Sequence, residues 1–524
     1  MKRTILLLFL FALLGIVLVT FVLTPFTGDI YVFMGSAHQM EFFDGNFLER
    51  AFHTWDVKGI FARTFMCLLY RSAVSFADFA SLRFEIIVRS IYLTLSLAVL
   101  FLSAKLIYPK TKQCLILFLS LSLGLFATHY ASHLQHEMTT VLLMILSYAL
   151  LISEGTHPKT RLLKDFFAGL LLGCLPYFKS IFIILPPMVI SAVYLVQPNI
   201  ISICRRTSYK RLYALILGGL IMGLSGLSLI LFLYPEEIQD ILDVSAFQNT
   251  LLSGGLITIA NSLYFFIYGF FCQCLPMNPI VTIGSVTLLI NTFHAIKSND
   301  NQSLFHHFFL WTIPMGFILL SNRFFAYHYY LFIFPALIES LVYAKHLKHG
   351  KFSVKVTAST IFAIAILFYI GTMSIFSANF RNYVFANNLQ HRYHLSLHQQ
   401  FPKLRSNTIL YLDGGAGSYL AGGQSHLKYI YPLPLQRIGE NSKFHNLPCR
   451  LECKIQALRY KGNYVILDEQ WFGENEKNQE IIEKIKNEYD LVGDLHYILR
   501  EWKIFGKPEY TDRILGLYAR KPDT

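Results

Sequence analysis

Charge is what this chain has least of. Only 15% of its 524 residues are Asp, Glu, Lys or Arg, and 54% are apolar, whereas soluble domains carry about 25% charged residues. One large soluble core would need buried helices at every turn, so that class is excluded. Internal repeats and low-complexity tracts are lacking. So is a glycine-rich phosphate loop of the nucleotide-binding kind. Cysteines are few and scattered, eight in all. Cys449 and Cys453 are close enough in sequence for a short-range disulfide if the C-terminal tail lies in an oxidising compartment.

Long uncharged runs are what the chain does have. Runs of 18 or more apolar residues read as membrane spans. Spans are expected at about 4–24, 86–107, 113–129, 137–153, 165–177, 180–197, 212–234, 280–296, 304–321, 327–344 and 353–376. The segment 256–275 is also apolar and reads as interfacial or re-entrant, the alternative being a true span compensated by another nearby. The net charge of +13 follows this topology. With Lys2 and Arg3 inside, Lys105, Lys110 and Lys112, then Lys159, Arg161 and Lys164, fall on the same face. Arg205, Arg206, Lys210 and Arg211, then Lys297, and finally Lys345, Lys348, Lys351 and Lys355 join them. That is the positive-inside asymmetry of an inner-membrane protein, so the excess charge reports orientation and no nucleic-acid partner is implied. The expected fold is an α-helical polytopic membrane protein with about eleven transmembrane helices and a cytoplasmic N-terminus. A small periplasmic α/β domain would follow it.

Two parts are not ordinary loops. Residues 25–85 mix acidic, basic and aromatic residues in a long first outer loop, as amphipathic helices on a bilayer would. Residues 377–524 form a polar tail. In it Thr408–Leu412, Tyr464–Leu467 and Ile514–Ala519 read as strands and 474–489 as helix, an α/β pattern. The domains are therefore 1–376, membrane-embedded, and 377–524.

Several polar residues stand at the outer boundary. Asp29, just after the first span, is placed either as a general base or as a helix cap. Asp44 precedes Gly45 and reads as a turn. Asp56 and Lys58 lie beside Trp55 on what reads as an interfacial face. His133, His136 and Glu137 cluster before a span. Imidazole and carboxylate ligate divalent ions, but the spacing matches no closed zinc motif. Lys179 interrupts the apolar stretch 168–196 at an outer turn, and Arg323 is the lone basic residue in another, followed by His328, Tyr329 and Tyr330. Either cation would suit a phosphate or simply snorkel to the interface.

Taken in order, these positions resemble the GT-C glycosyltransferase superfamily, in the branch of the protein O-mannosyltransferases and aminoarabinose transferases. Four stretches carry the likeness. The first is Asp29-Ile30-Tyr31 with Ala37 and Gly45; the second is Gln135-His136-Glu137. The third runs from Ala168 through Gly169, Gly173 and Lys179 to Pro186, and the fourth from Arg323 through Tyr327-His328-Tyr329-Tyr330 to Pro335-Ala336-Leu337. Ile30 stands where the family frequently has a second acid.

The resemblance implies an inverting transfer from a polyprenyl-phosphate-linked sugar donor to a lipid, glycan or protein acceptor on the periplasmic side. Asp29 would be the catalytic base, and Lys179 and Arg323 would bind the donor phosphate. Asp56, Lys58, Glu137, His328 and Tyr329 would be accessory. No cofactor is assigned, and a divalent metal stays open. The rivals are an O-antigen-type polymerase or ligase, and a non-enzymatic lipid flippase or transporter. The first class usually carries its large outer loop mid-chain. The second favours repeats and broken helices at the midplane.

Overall fold

A computed structural model of the chain describes residues 2–23, 26, 29–53, 59–126, 134–153, 158–196, 207–233, 263–264, 266–271, 278–321, 326–348, 393–413, 416–427, 448–469, 472, 478–501 and 509–522. It is mostly helical, with one small sheet near the C-terminus. The expected span 353–376 lies outside the described residues, as does most of 256–275.

Two compact units divide the chain. The first comprises Met1–Val22, Leu93–Ser228 and Gly254–Ala378; the second comprises Leu23–Tyr92, Leu229–Ser253 and Asn379–Thr524. What sequence reading did not foresee is that the first-loop residues fold with the tail.

The helices in chain order are α1 (Lys2–Leu23), α2 (Asp29–Gln39), α3 (Phe47–His53), α4 (Ile60–Val74), α5 (Leu82–Ile107), α6 (Thr111–Phe126), α7 (His136–Ile152), α8 (Pro158–Cys174), α9 (Pro186–Val196), α10 (Thr207–Leu233), α11 (Pro279–Lys297), α12 (Asn301–Ser321) and α13 (Ile333–Lys348). Among the described residues, three helical stretches are long and apolar enough to cross a membrane: Leu82–Ile107, Tyr209–Phe232 and Ile280–Lys297. Local chemistry sets the ends. Asn278 caps α11, its side chain accepting from the Val281 N–H at 3.3 Å, and Pro279 follows at the first helical position.

In the first unit, small residues let helices approach closely. A Cβ on Gly169 of α8 would stand 2.1 Å from the Leu215 carbonyl oxygen of α10, and one on Gly218 would stand 2.1 Å from that of Phe166. This is the small-residue packing of membrane helices. Buried Asp165 locks the same pair, accepting two 2.7 Å bonds from Arg211, which also donates to the Leu151 carbonyl at 3.0 Å. On α11, α12 and α13, the buried Glu339 carboxylate takes the Asn291 amide at 2.7 Å and meets His307 at 2.8 Å.

In the second unit, β1 (Thr408–Leu412), α14 (Ala416–Ala421), β2 (Gln424–Ser425), α15 (Pro448–Arg459), β3 (Tyr464–Leu467), α16 (Gln479–Glu488), β4 (Tyr489–Glu501) and β5 (Glu509–Arg520) form an α/β fold. The sheet order is β2-β1-β3-β5-β4; β1 is parallel to both neighbours, and the β5 pairings are antiparallel. One face is closed by Leu410, Val465, Leu467, Ile481, Ile485 and Tyr518. Cys453 of α15 lies in that same core, fully buried.

Candidate functional site

The polar cluster of the first unit is built from three interruptions in helix. Leu134 takes a left-handed φ of +48° just before α7 starts, a conformation that L-residues adopt at a cost. Glu137 then lies in the first turn of α7 and is buried, where the helix dipole favours a negative charge. Pro176, which has no N–H to give, falls in a 3-10 turn (Leu175–Tyr177) that ends α8. Lys179 follows with extended backbone (φ −158°, ψ 125°), before a second 3-10 turn, Ser180–Ile184. His328 lies in the irregular run Ala326–Phe332 ahead of α13 and is also buried.

These three side chains meet. The Lys179 Nζ donates to Glu137 Oε1 at 3.1 Å and lies 3.4 Å from His328 Nε2; His328 Nε2 is 3.7 Å from the same carboxylate oxygen. The Lys179 side chain keeps 26% of its exposure, against 3% for Glu137 and 2% for His328. Two rings wall the ammonium, Phe317 at 5.1 Å and Phe182 at 5.8 Å from their centroids, within cation–π range. A snorkelling lysine would extend along apolar surface toward water. This one turns into a carboxylate–imidazole cluster, where a charge is stabilised by partners.

Among the other sequence candidates, Tyr329 is directed elsewhere. Its hydroxyl donates to the Phe266 carbonyl at 3.2 Å. His136 is buried at the head of α7. Asp44 is exposed beside Gly45, whose φ of +110° fits the turn reading. Asp29 is the first residue of α2. Asp56, Lys58, His133 and Arg323 lie outside the described residues. Phe182 and Phe317 escaped the sequence reading. Phe182 carried a faint signal, being three residues beyond a lysine in an apolar run.

Among the described residues the fit to a divalent metal is poor. Among the described residues no group of three or more His, Cys, Asp or Glu is gathered as a metal would require. Glu137 is already neutralised by an ammonium that a dication would have to displace.

No family model and no characterised protein matches the chain. Among solved structures, it is similar to the apo form of the Archaeoglobus fulgidus oligosaccharyltransferase, with 12% identity and a TM-score of 0.48, over 88% of this chain and 69% of that one. A TM-score below 0.5 at that identity is not evidence of a shared fold.

Proposed function

We propose that the protein is a multi-spanning inner-membrane glycosyltransferase of the GT-C type, with about eleven spans, a cytoplasmic N-terminus and a periplasmic tail. It would move a sugar, with inversion, from a polyprenyl-phosphate donor to a lipid, glycan or protein acceptor. The observation that carries the reading is the placement of Lys179. An ionisable group in an apolar stretch is costly, and this one is held by Glu137 and His328 at a break between helices. The order of the four family-like stretches supports the same reading.

In this mechanism the acceptor oxygen attacks the anomeric carbon from the face opposite the phosphate. The carbon–oxygen bond to phosphate breaks, and its electron pair leaves on the phosphate oxygen. The acceptor proton passes to Asp29. Lys179 and Arg323 stabilise the departing anion, which is electrostatic catalysis of the usual kind. Until the phosphate arrives, Glu137 and His328 partner the Lys179 ammonium.

The test is Asp29→Asn in purified enzyme given a polyprenyl-phosphate sugar. Asn caps a helix about as well as Asp, so a cap predicts near-normal transfer, whereas loss of a general base lowers the rate by about 10²–10⁴. Asp44→Asn and Asp56→Asn are expected to be milder. Transfer near the wild-type rate by Asp29→Asn would overturn the base assignment. Mass spectrometry of envelope glycans with and without the protein would identify sugar and acceptor.

A further inference from the structure

The second unit joins the two ends of the chain through α2. Its residues Ile30, Tyr31, Phe33, Met34, Ala37 and Gln39 are all buried. At the C-terminal end of α2, His38 Nε2 meets the Gly422 carbonyl at 2.9 Å, and the Gln39 amide donates to the Gly423 carbonyl at 3.0 Å. The Gln39 side-chain oxygen Oε1 accepts from the Ser425 N–H at 2.7 Å. Mid-helix, a Cβ on Gly35 would stand 2.2 Å from Ser418 Oγ, 3.1 Å from the Tyr419 backbone nitrogen and 3.3 Å from Ser418 Cβ, so a side chain here crowds α14. Near its start, the Tyr31 ring packs on Tyr419 at 4.9 Å and edge-on to Tyr497 at 6.3 Å. The Tyr419 hydroxyl in turn donates to Glu85 at 2.8 Å, and the other Glu85 oxygen accepts from the Phe26 N–H at 3.0 Å.

We propose that the tail is a working part of the catalytic apparatus because it fixes where α2, and therefore Asp29, stands. Gly35, His38 and Gln39 on α2, with Ser418 and the 422–425 segment of the tail, are positioning residues. This rests on the reading of Asp29 as the base. Three contacts along α2, at its start, middle and end, all go to tail residues that come from one continuous stretch, 418–425, and from β4. Such a clamp restrains a helix in tilt as well as in translation, which a single contact would not. Sub-ångström placement of a base matters because small misplacements cost rate steeply.

A size swap tests it. Gly35→Ala forces α2 off Ser418 and is expected to lower kcat by about ten- to a hundredfold, with donor KM within about twofold of wild type. Adding Ser418→Gly removes the Oγ and Cβ contacts, leaving the Tyr419 nitrogen at 3.1 Å, and is expected to restore part of the lost kcat. Unchanged kcat in a folded Gly35→Ala enzyme would overturn the proposal, as would a folded double variant that recovers nothing. A second probe does not depend on tolerance of the methyl. In Gly35→Cys/Ser418→Cys the two Cβ atoms lie close to disulfide spacing. Mild oxidation of the full-length enzyme should link them and leave that variant's own reduced rate unchanged. Failure to link would show that α2 and α14 are not in contact, and a loss on oxidation that reductant reverses would show that the tail must part from α2 during turnover; either would overturn the proposal. Neither probe uses the Asp29 side chain, so an active Asp29→Asn enzyme sinks the base assignment separately.

Discussion

His38 Nε2 lies 2.9 Å from the Gly422 carbonyl oxygen, and His38 Nδ1 lies 2.8 Å from the Tyr70 hydroxyl. A carbonyl only accepts, so Nε2 carries the proton and Nδ1 accepts from Tyr70. Gly422 presents that carbonyl from a left-handed φ of +66°, which glycine adopts without penalty. The ring also stacks on Phe79 at 4.1 Å. Both nitrogens are used by the neutral imidazole, and burial lowers the His38 pKa from the ordinary 6.5 to about 4, despite the bond to Gly422.

A pH dependence of stability follows. A histidine whose folded pKa is depressed binds more protons unfolded than folded at intermediate pH. Its contribution is therefore fully present above about 6.5 and is lost as the pH falls toward 4. That separation corresponds to about 3 kcal/mol. Protease resistance of the α2–tail contact in detergent should fall between pH 6.5 and 4.5 in wild type and change less in His38→Gln. A wild-type protein equally resistant across that range would contradict the neutral, half-buried imidazole.

Lys179 and Glu137 are expected to act in opposite directions on product. Lys179→Ala should weaken inhibition by free polyprenyl phosphate about ten- to a hundredfold, the loss of one charge-assisted bond. Glu137→Gln removes the carboxylate that competes for the ammonium, so inhibition should strengthen. Equal weakening in both variants would reduce the contact to a structural ion pair.

The α8–α10 junction should be intolerant of change. Asp165→Ala strands Arg211 without its partner and should cost about 3–5 kcal/mol, read as a lower Tm in detergent. Asp165→Leu/Arg211→Leu should recover much of it. Gly169→Ala should also lower Tm, because its Cβ would meet backbone that cannot rotate away. A Gly169→Ala protein as stable as wild type would refute the close approach.

Cys453 should carry a thiol. It is fully buried in the tail core, so maleimide should label it only after unfolding, and non-reducing peptide mass spectrometry should find no Cys449–Cys453 bridge.

Much of this architecture was readable along the chain. The strands Thr408–Leu412 and Tyr464–Leu467 stand where short apolar runs put them. Lys179 was conspicuous because an ammonium in an apolar stretch demands an explanation. Its ring neighbours were not, since Phe182 and Phe317 are two phenylalanines among 46. Strand β4 was missed because Asp490, Asp494, Arg500 and Glu501 dilute its pattern, and its outer face leaves Leu491 and Val492 exposed. The α2 clamp was invisible for a different reason. Hydrogen bonds spanning 384 residues leave no local signature in either partner.

That separation has a consequence for biogenesis. Helix α2 leaves the ribosome first, and its anchoring carbonyls at Gly422 and Gly423 are made 384 residues later. At about 5–20 residues per second, α2 waits on the order of 20 to 80 s for its partner. A chain truncated before residue 422 would carry the whole first loop yet lack the carbonyls that His38 and Gln39 bond.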